Sequence, residues 1–283
     1  MPSASAVQIE LPDVEAWAEA YVLSTELSYK IAPPALPRVF RSGAAPLWLE
    51  QPGRPRELRV AERRERMPKG AEGLKEPRCR ARLLHAFWHH ELQAAELMLW
   101  ALLGFAEAEA EFKKGLVGIC LDEIRHMRLY QQHIEALGFA LGDFGVRDWF
   151  WKRVPSCGDK VGFVALMGMG FEAANLEHAR NFSELLRAAG DEQAAQIQAQ
   201  VGKEELAHVS FATRWFKRWT GGCDFSEWCS HLKPPLSPWV LRAEPIALDL
   251  RVRAGMSEEF VHALEAYVPE RTGRTHRPRQ STE

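Results

Sequence analysis

The chain has 283 residues, 46% hydrophobic and 26% charged, with 36 Lys and Arg against 38 Asp and Glu for a net charge of −2. This composition fits one large or two ordinary globular domains and excludes collagen, a disulfide scaffold and disorder throughout. The near-neutral balance gives the whole chain no bias toward nucleic acid, and the longest apolar run, Leu97 to Ala106, is about half of what a bilayer requires. With no secretory leader at its start and five scattered cysteines lacking any Cys-x-x-Cys pair, the cytoplasm and reduced thiols are expected, with no membrane partner.

Asp13, placed as an N-cap after Pro12, opens a helix that carries Trp17, Tyr21 and Leu27 and stops at Pro33-Pro34. From Ala35 to Arg78 the chain is rich in Pro, Gly and Arg, so residues 1–78 read as an N-terminal helix and a basic, extended wrapping segment. Between Pro52 and Arg82, eleven Lys and Arg face five Glu. A solvated surface with helical pairs such as Glu62 and Arg66 is the plain account of this; a nucleic-acid patch over residues 52–82 is the sharper alternative.

Residues 79–220 hold four long helical patterns. Helix A runs from Ala81 to Gly104, and helix B from Phe112 to Leu137 before Gly138. A long connection carrying Trp149, Phe150 and Trp151 then leads to helix C, from Asp159 to Ala189, and Gly190 and Asp191 separate it from helix D, which ends at Trp219. Two hairpins joined by a long crossover between helices B and C predict an all-α fold, a ferritin-like four-helix bundle with N- and C-terminal additions. Residues 221–267 form a C-terminal extension with Pro-rich turns and one amphipathic helix from Ser257 to Tyr267, and residues 268–283 a disordered tail.

Helix B places Leu116, Ile119, Glu123, His126, Tyr130, His133 and Leu137 at steps of three and four, so a carboxylate and an imidazole lie in the stripe that faces the core. Helix D repeats this with Val201, Glu205, His208, Ala212, Trp215 and Trp219. One Glu-x-x-His is a weak signal, but two of them, each on the second helix of a hairpin, is a strong one. At i and i+3 the side chains stand about 60° apart around the axis and about 4.5 Å along it, within reach of one ion.

The first helix of each hairpin should add an acid. Helix A offers Glu91, in a stripe with Leu84, Phe87, Trp88, Ala95, Met98 and Leu102, and also Glu96, which lies about 140° away around the axis. Height above the turn supports Glu91. Helix C offers Glu172 or Glu177: height favours Glu177, whereas the apolar stripe and the matching hairpin spacings, 32 residues from Glu91 to Glu123 and 33 from Glu172 to Glu205, favour Glu172. The ligand set is therefore Glu91, Glu123, His126, Glu172, Glu205 and His208. Glu177 is the alternative ligand or a support to one, and Glu96, Tyr130 and His133 are further candidates to hydrogen-bond the ligands.

Four clustered carboxylates in a core must protonate or bind cations, and two divalent ions carry the matching charge. Hard oxygen donors with one imidazole per ion suit iron first and manganese second, so two Fe ions are the expected cofactor. The motif Gly168-x-Gly170-x-x-Ala173 resembles a dinucleotide fingerprint but lies inside helix C without a preceding strand, which makes it a stripe of small residues for close helix packing.

The runs His89-His90-Glu91-Leu92-Gln93-Ala94-Ala95-Glu96-Leu97, Leu121-Asp122-Glu123-Ile124-Arg125-His126 and Lys203-Glu204-Glu205-Leu206-Ala207-His208-Val209 carry a family resemblance, with Gly142-Asp143-Phe144-Gly145 and Phe171-Glu172-Ala173-Ala174 between them. From Pro52 to about Tyr267 the chain resembles the bacterial ferritin-like proteins known only as a domain of unknown function. That group is distantly similar to tRNA-hydroxylating di-iron enzymes. The resemblance implies the same six ligands and also matches Glu96 and Glu177 to acidic positions. The function expected is O2-dependent oxidation or hydroxylation of a small-molecule substrate. The alternatives are metal handling of the ferroxidase kind without an organic substrate, and tRNA hydroxylation through the basic stretch.

Overall fold

In the computed structural model, which describes residues 11–61 and 70–269, Asp13 caps the first helix as its position predicts, accepting from the Ala16 amide at 2.8 Å. That helix is shorter than the sequence suggests. α1 covers Val14–Leu23, and a separate α2 covers Leu27–Ile31. The break has a physical cause: the carbonyls that end α1 have other donors. Lys30 Nζ donates to the Tyr21 and Val22 carbonyls at 2.6 and 2.8 Å, and the Gly53 amide also donates to Val22. Position 53 must be glycine for this, since a Cβ there would lie 2.1 Å from the Leu23 oxygen.

After a short turn, α3 (Gly70–Gly73), the long helix α4 (Pro77–Gly104) begins a turn earlier than its apolar stripe indicates. Pro77 explains this, because a proline fits the first helical turn, where no amide partner exists. α5 covers Ala110–Ala136 and ends before Gly138, which adopts a positive φ. The crossover that follows is mostly irregular, held at one point by an isolated parallel bridge between Val60 and Val146.

Helix C is the main departure from expectation. It starts as α6 (Lys160–Phe163) under the Asp159 cap, widens into a π-helical stretch over Val164–Glu172, and continues as α7 (Ala173–Ala188). Within the stretch each amide reaches one residue further back, as the Ala173 amide does to the Gly168 carbonyl. Gly168 and Gly170 supply the small residues here: a Cβ on Gly168 would lie 2.1 Å from the Ala212 Cβ, so the two backbones approach closely. The Gly168-x-Gly170-x-x-Ala173 motif is thus a packing device. α8 (Glu192–Thr220) follows, with Asp191 accepting from the Ala194 amide at its start.

α4 packs along α5, the π stretch and α7 pack along α8, and α5 meets α8, so the two hairpins enclose a shared interior. α1 lies against α4. The C-terminal extension adds α9 (Phe225–Ser230), α10 (Leu248–Arg253) and α11 (Glu258–Ala266), of which the sequence reading foresees only the last. The described part is all-helical, without a named strand, and no described helix is long and apolar enough to cross a membrane.

The basic stretch is partly turned inward. Arg54 meets Glu96 and Asp148, and Arg80 meets Asp191 at 2.8 Å, so these two charges are neutralised within the chain. Arg63, Arg64 and the Glu62 and Arg66 pair lie outside the described residues, as does the tail from residue 270.

Candidate metal centre

The second helix of each hairpin carries Glu-x-x-His on its inner face, and packing α5 against α8 brings the two motifs together. The protein places Glu91, Glu123, His126 and Glu205 in one group and Glu123, Glu172, Glu205 and His208 in another, each offering ligand atoms within 4.8 Å of one another. Glu123 and Glu205 belong to both groups and are 0% exposed. The four other members are buried as well. His126 Nδ1 lies 3.3 Å from Glu123 and 3.8 Å from Glu91, and His208 Nδ1 lies 3.0 Å from Glu205 and 3.1 Å from Glu123. A cluster of this composition could hold metal ions.

Two oxygens test that fit. Glu123 Oε1 and Glu172 Oε1 are buried and accept no hydrogen bond. His208 Nδ1 is within ion-pair distance of the first but without hydrogen-bond alignment. Buried carboxylate oxygens are normally satisfied, and a cation satisfies them where no donor is aimed.

The electrostatics point the same way. Burial, with the neighbouring Glu123 charge added, pushes the Glu91 carboxyl well above its ordinary range; burial and then Glu205 and Glu123 do the same to Glu172. Burial opposes charging of His126, yet Glu123 and Glu91 outweigh it and lift its pKa to about 11. His208 is raised well above its ordinary value by Glu205 and Glu123, again against burial. Burial also opposes ionisation of Glu123, but Glu91 and the two imidazoles beside it pull it well below the usual carboxylate value. The cluster thus draws positive charge into itself, which protons or metal ions can supply.

Glu172 rather than Glu177 faces this cluster, and the hairpin register explains why. Gly168 touches Ala212, so in an antiparallel pair Glu172, four residues on, is level with His208, four residues back. The height that matters is that of His208, not that of Glu205. Glu177 points away and forms a buried pair with Arg251 at 2.7 and 2.8 Å, while also accepting from the Ala247 amide. Glu96 likewise leaves the cluster: it is 0% exposed and meets Lys30 at 2.8 Å, Arg54 at 2.6 Å and the Trp151 indole at 2.8 Å. Both acids stand five residues after a cluster glutamate, on the opposite side of the helix, and each anchors one of the chain's two extensions.

Of the other candidates, Tyr130 is buried near Glu91 but donates to Gln198 at 3.0 Å and not to a cluster carboxylate. His133 is corrected outright. Two turns beyond His126, roughly 10 Å along the axis, it meets Asp191 at 3.0 Å and ties α5 to the start of α8.

The sequence reading missed the residues that do orient the imidazoles. His126 Nε2 meets Glu204 at 2.7 Å, and His208 Nε2 meets Asp122 at 3.4 Å, so each hairpin supplies the acid that holds the other's histidine. Arg125 bridges these two acids at 2.9 and 2.6 Å. The signal was available: an acid directly precedes the glutamate in both Glu-x-x-His motifs. A carboxylate on the far ring nitrogen fixes the ring and raises its donor strength. Glu204→Gln is therefore expected to weaken metal affinity by about 10- to 100-fold with the fold intact, as read by competition with a chelating dye. An unchanged affinity would remove Glu204 from this role.

A cavity of about 490 Å³ reaches Glu91 and Glu172 from between α4 and the π stretch, beneath the crossover. Trp149, Phe150, Phe171 and Phe87 line it, with Tyr130, Gln198 and Asn175 among its polar groups. Asn175 also donates to Glu205 at 3.2 Å. The arrangement gives a small molecule access to one carboxylate from each hairpin.

Comparison with known proteins yields a family match over residues 15–262, to the family described as "Protein of unknown function (DUF455)". An uncharacterized protein of Haemophilus influenzae (strain ATCC 51907 / DSM 11121 / KW20 / Rd) is 26% identical over 144 residues, covering 48% of this chain. The alignment spans 50% of that relative's length, so the chain matches about half of it. No solved structure matches the chain.

Proposed function

We propose that this chain, which belongs to the DUF455 family of proteins of unknown function, is a ferritin-like protein that holds two iron ions and uses O2 to oxidise or hydroxylate a small organic molecule. The observation that carries the reading is the sharing of two fully buried glutamates, Glu123 and Glu205, by two ligand groups that each contain one imidazole. Glu91 and His126 would complete one position and Glu172 and His208 the other. Four carboxylates match the charge of two divalent ions, and oxygen-rich donor sets with one imidazole suit iron, with manganese as the substitute. When bound, such a pair of ions supplies the electrons that reduce O2 and the oxidising power to attack a C–H bond.

The chain's own residues do the rest. Glu204 and Asp122 hold the imidazoles in orientation, Glu91 and Glu172 present their carboxylates at the cavity wall, and the aromatic walls exclude water from the reacting end. A cavity lined for an organic molecule favours this reading over metal handling alone. The test is oxygen uptake by the iron-loaded protein with ascorbate as reductant. Uptake above that of the same concentration of free iron is expected, and uptake no faster than free iron would count against the reading.

A further inference from the structure

The cavity beside Glu91 and Glu172 has a distinctive chemistry. One wall is a continuous aromatic surface: Phe150 stacks on Phe171 with ring centroids 4.8 Å apart, and Trp149 meets Phe171 edge-on at 5.0 Å. This wall accepts a flat or apolar body. The acids on the lining, Glu91 and Glu172, are those assigned above to metal ions; burial disfavours the charged form of His89 and His178, and the permanent charges that remain are arginines. Arg82 lines the cavity and has partners of its own.

Arg147 differs. It lines the cavity, is half-buried, and its guanidinium has no acid or carbonyl partner among the described residues. The neighbouring acid, Asp148, is turned inward to Arg54 at 2.7 Å and His89 at 3.2 Å. A second cation stands nearby: Arg153, stacked over Trp149 at 4.1 Å, is disfavoured in its charged form by burial and then by Arg147. An arginine fork left open beside an aromatic wall, in a chain of net charge −2, is a site for an incoming anion.

We propose that this cavity binds a molecule with a planar or apolar body and one anionic group, a carboxylate, sulfonate or phosphate, with the anion on Arg147 and the body along Trp149, Phe150 and Phe171. The proposal deepens the function proposed above, and rests on it only for the placing of the reacting end at Glu91 and Glu172. At about 490 Å³ the cavity suits a molecule of drug size.

Anilinonaphthalene sulfonate, a flat aromatic anion, and phenylnaphthylamine, the same body without charge, separate the two contributions by fluorescence titration of the full chain as purified. Arg147→Gln is expected to weaken binding of the sulfonate by about tenfold or more, the size of a lost charge-assisted contact, and to leave the neutral probe within about twofold. Arg147→Lys should restore part of the loss. Ala86→Trp, at an exposed position on the cavity lining, should weaken both probes and so fixes where they bind. Equal affinities for the sulfonate in the native and Arg147→Gln proteins would overturn the proposal, as would binding of both probes undisturbed by Ala86→Trp. The same titrations on Glu123→Ala separate the two readings: selectivity for the anion that persists there stands independently of the metal, and its loss in Glu123→Ala with Arg147 intact would place the anion on the metal cluster and overturn the proposal.

Discussion

Glu123→Ala is expected to purify with close to no bound metal, against about two ions for the native chain, when untagged protein is analysed by plasma mass spectrometry. The expectation follows from position. Glu123 is a member of both ligand groups, so its loss takes a donor from each metal position at once, whereas Glu91 or Glu172 serves one. It also leaves His208 Nδ1 without the carboxylate at 3.1 Å and His126 Nδ1 without the one at 3.3 Å. The stability readout separates a lost site from a lost fold. In excess chelator the variant should melt somewhat below the native chain, because Glu123 is the acid held charged beside the two imidazoles and its loss leaves them short of a counter-charge. Iron should widen the gap, since only the native chain gains stability from a bound ion. Retention of both ions by Glu123→Ala would sink the dinuclear reading.

Glu96→Gln should lower stability by about 3–5 kcal/mol, the usual consequence of stranding a buried charge. Here Lys30, 0% exposed, would lose its acid partner, and Arg54, 14% exposed, would be left with Asp148 alone. The partners share the burden unequally. Burial pulls the Lys30 pKa down further than Glu96 holds it up, because Arg54 also repels it, while Arg54 and Lys30 together overcome burial and hold Glu96 below its ordinary value. A carboxyl depressed in the folded chain stabilises fully above its ordinary value of 4.5 and loses that contribution as pH falls through its folded pKa. The gap between native and Glu96→Gln urea midpoints should therefore be full near neutrality and close progressively in acid. Lys30→Met added to Glu96→Gln should recover part of the loss. A midpoint unmoved by Glu96→Gln would show that the N-terminal extension is not anchored by this charge.

The same two helices illustrate how far each kind of information reaches. Stripes at steps of three and four were enough to mark Glu123, His126, Glu205 and His208 as inward-facing, because helical periodicity is a local property and an acid in an apolar stripe stands out. Asp13 and Asp191 were readable as caps, and Asp159 and Ser257 as helix starts, for the same reason: each cap is a contact between residues a few positions apart. Short α9 and α10 were not, since six residues are too few for a period to show.

What distance along the chain conceals, only packing decided. Periodicity left Glu172 and Glu177 open, and the touch of Gly168 on Ala212 set the register that faces one toward His208 and the other toward Arg251. Nothing local paired Glu204 with His126, 78 residues away, or Lys30 with Glu96, 66 residues away. The amino-acid order by itself determined which side chains had to leave water, because the cost of desolvating each is written in its own stripe. Which partner each one found there depended on how separate helices approach, a relation that exists only once the chain has closed on itself.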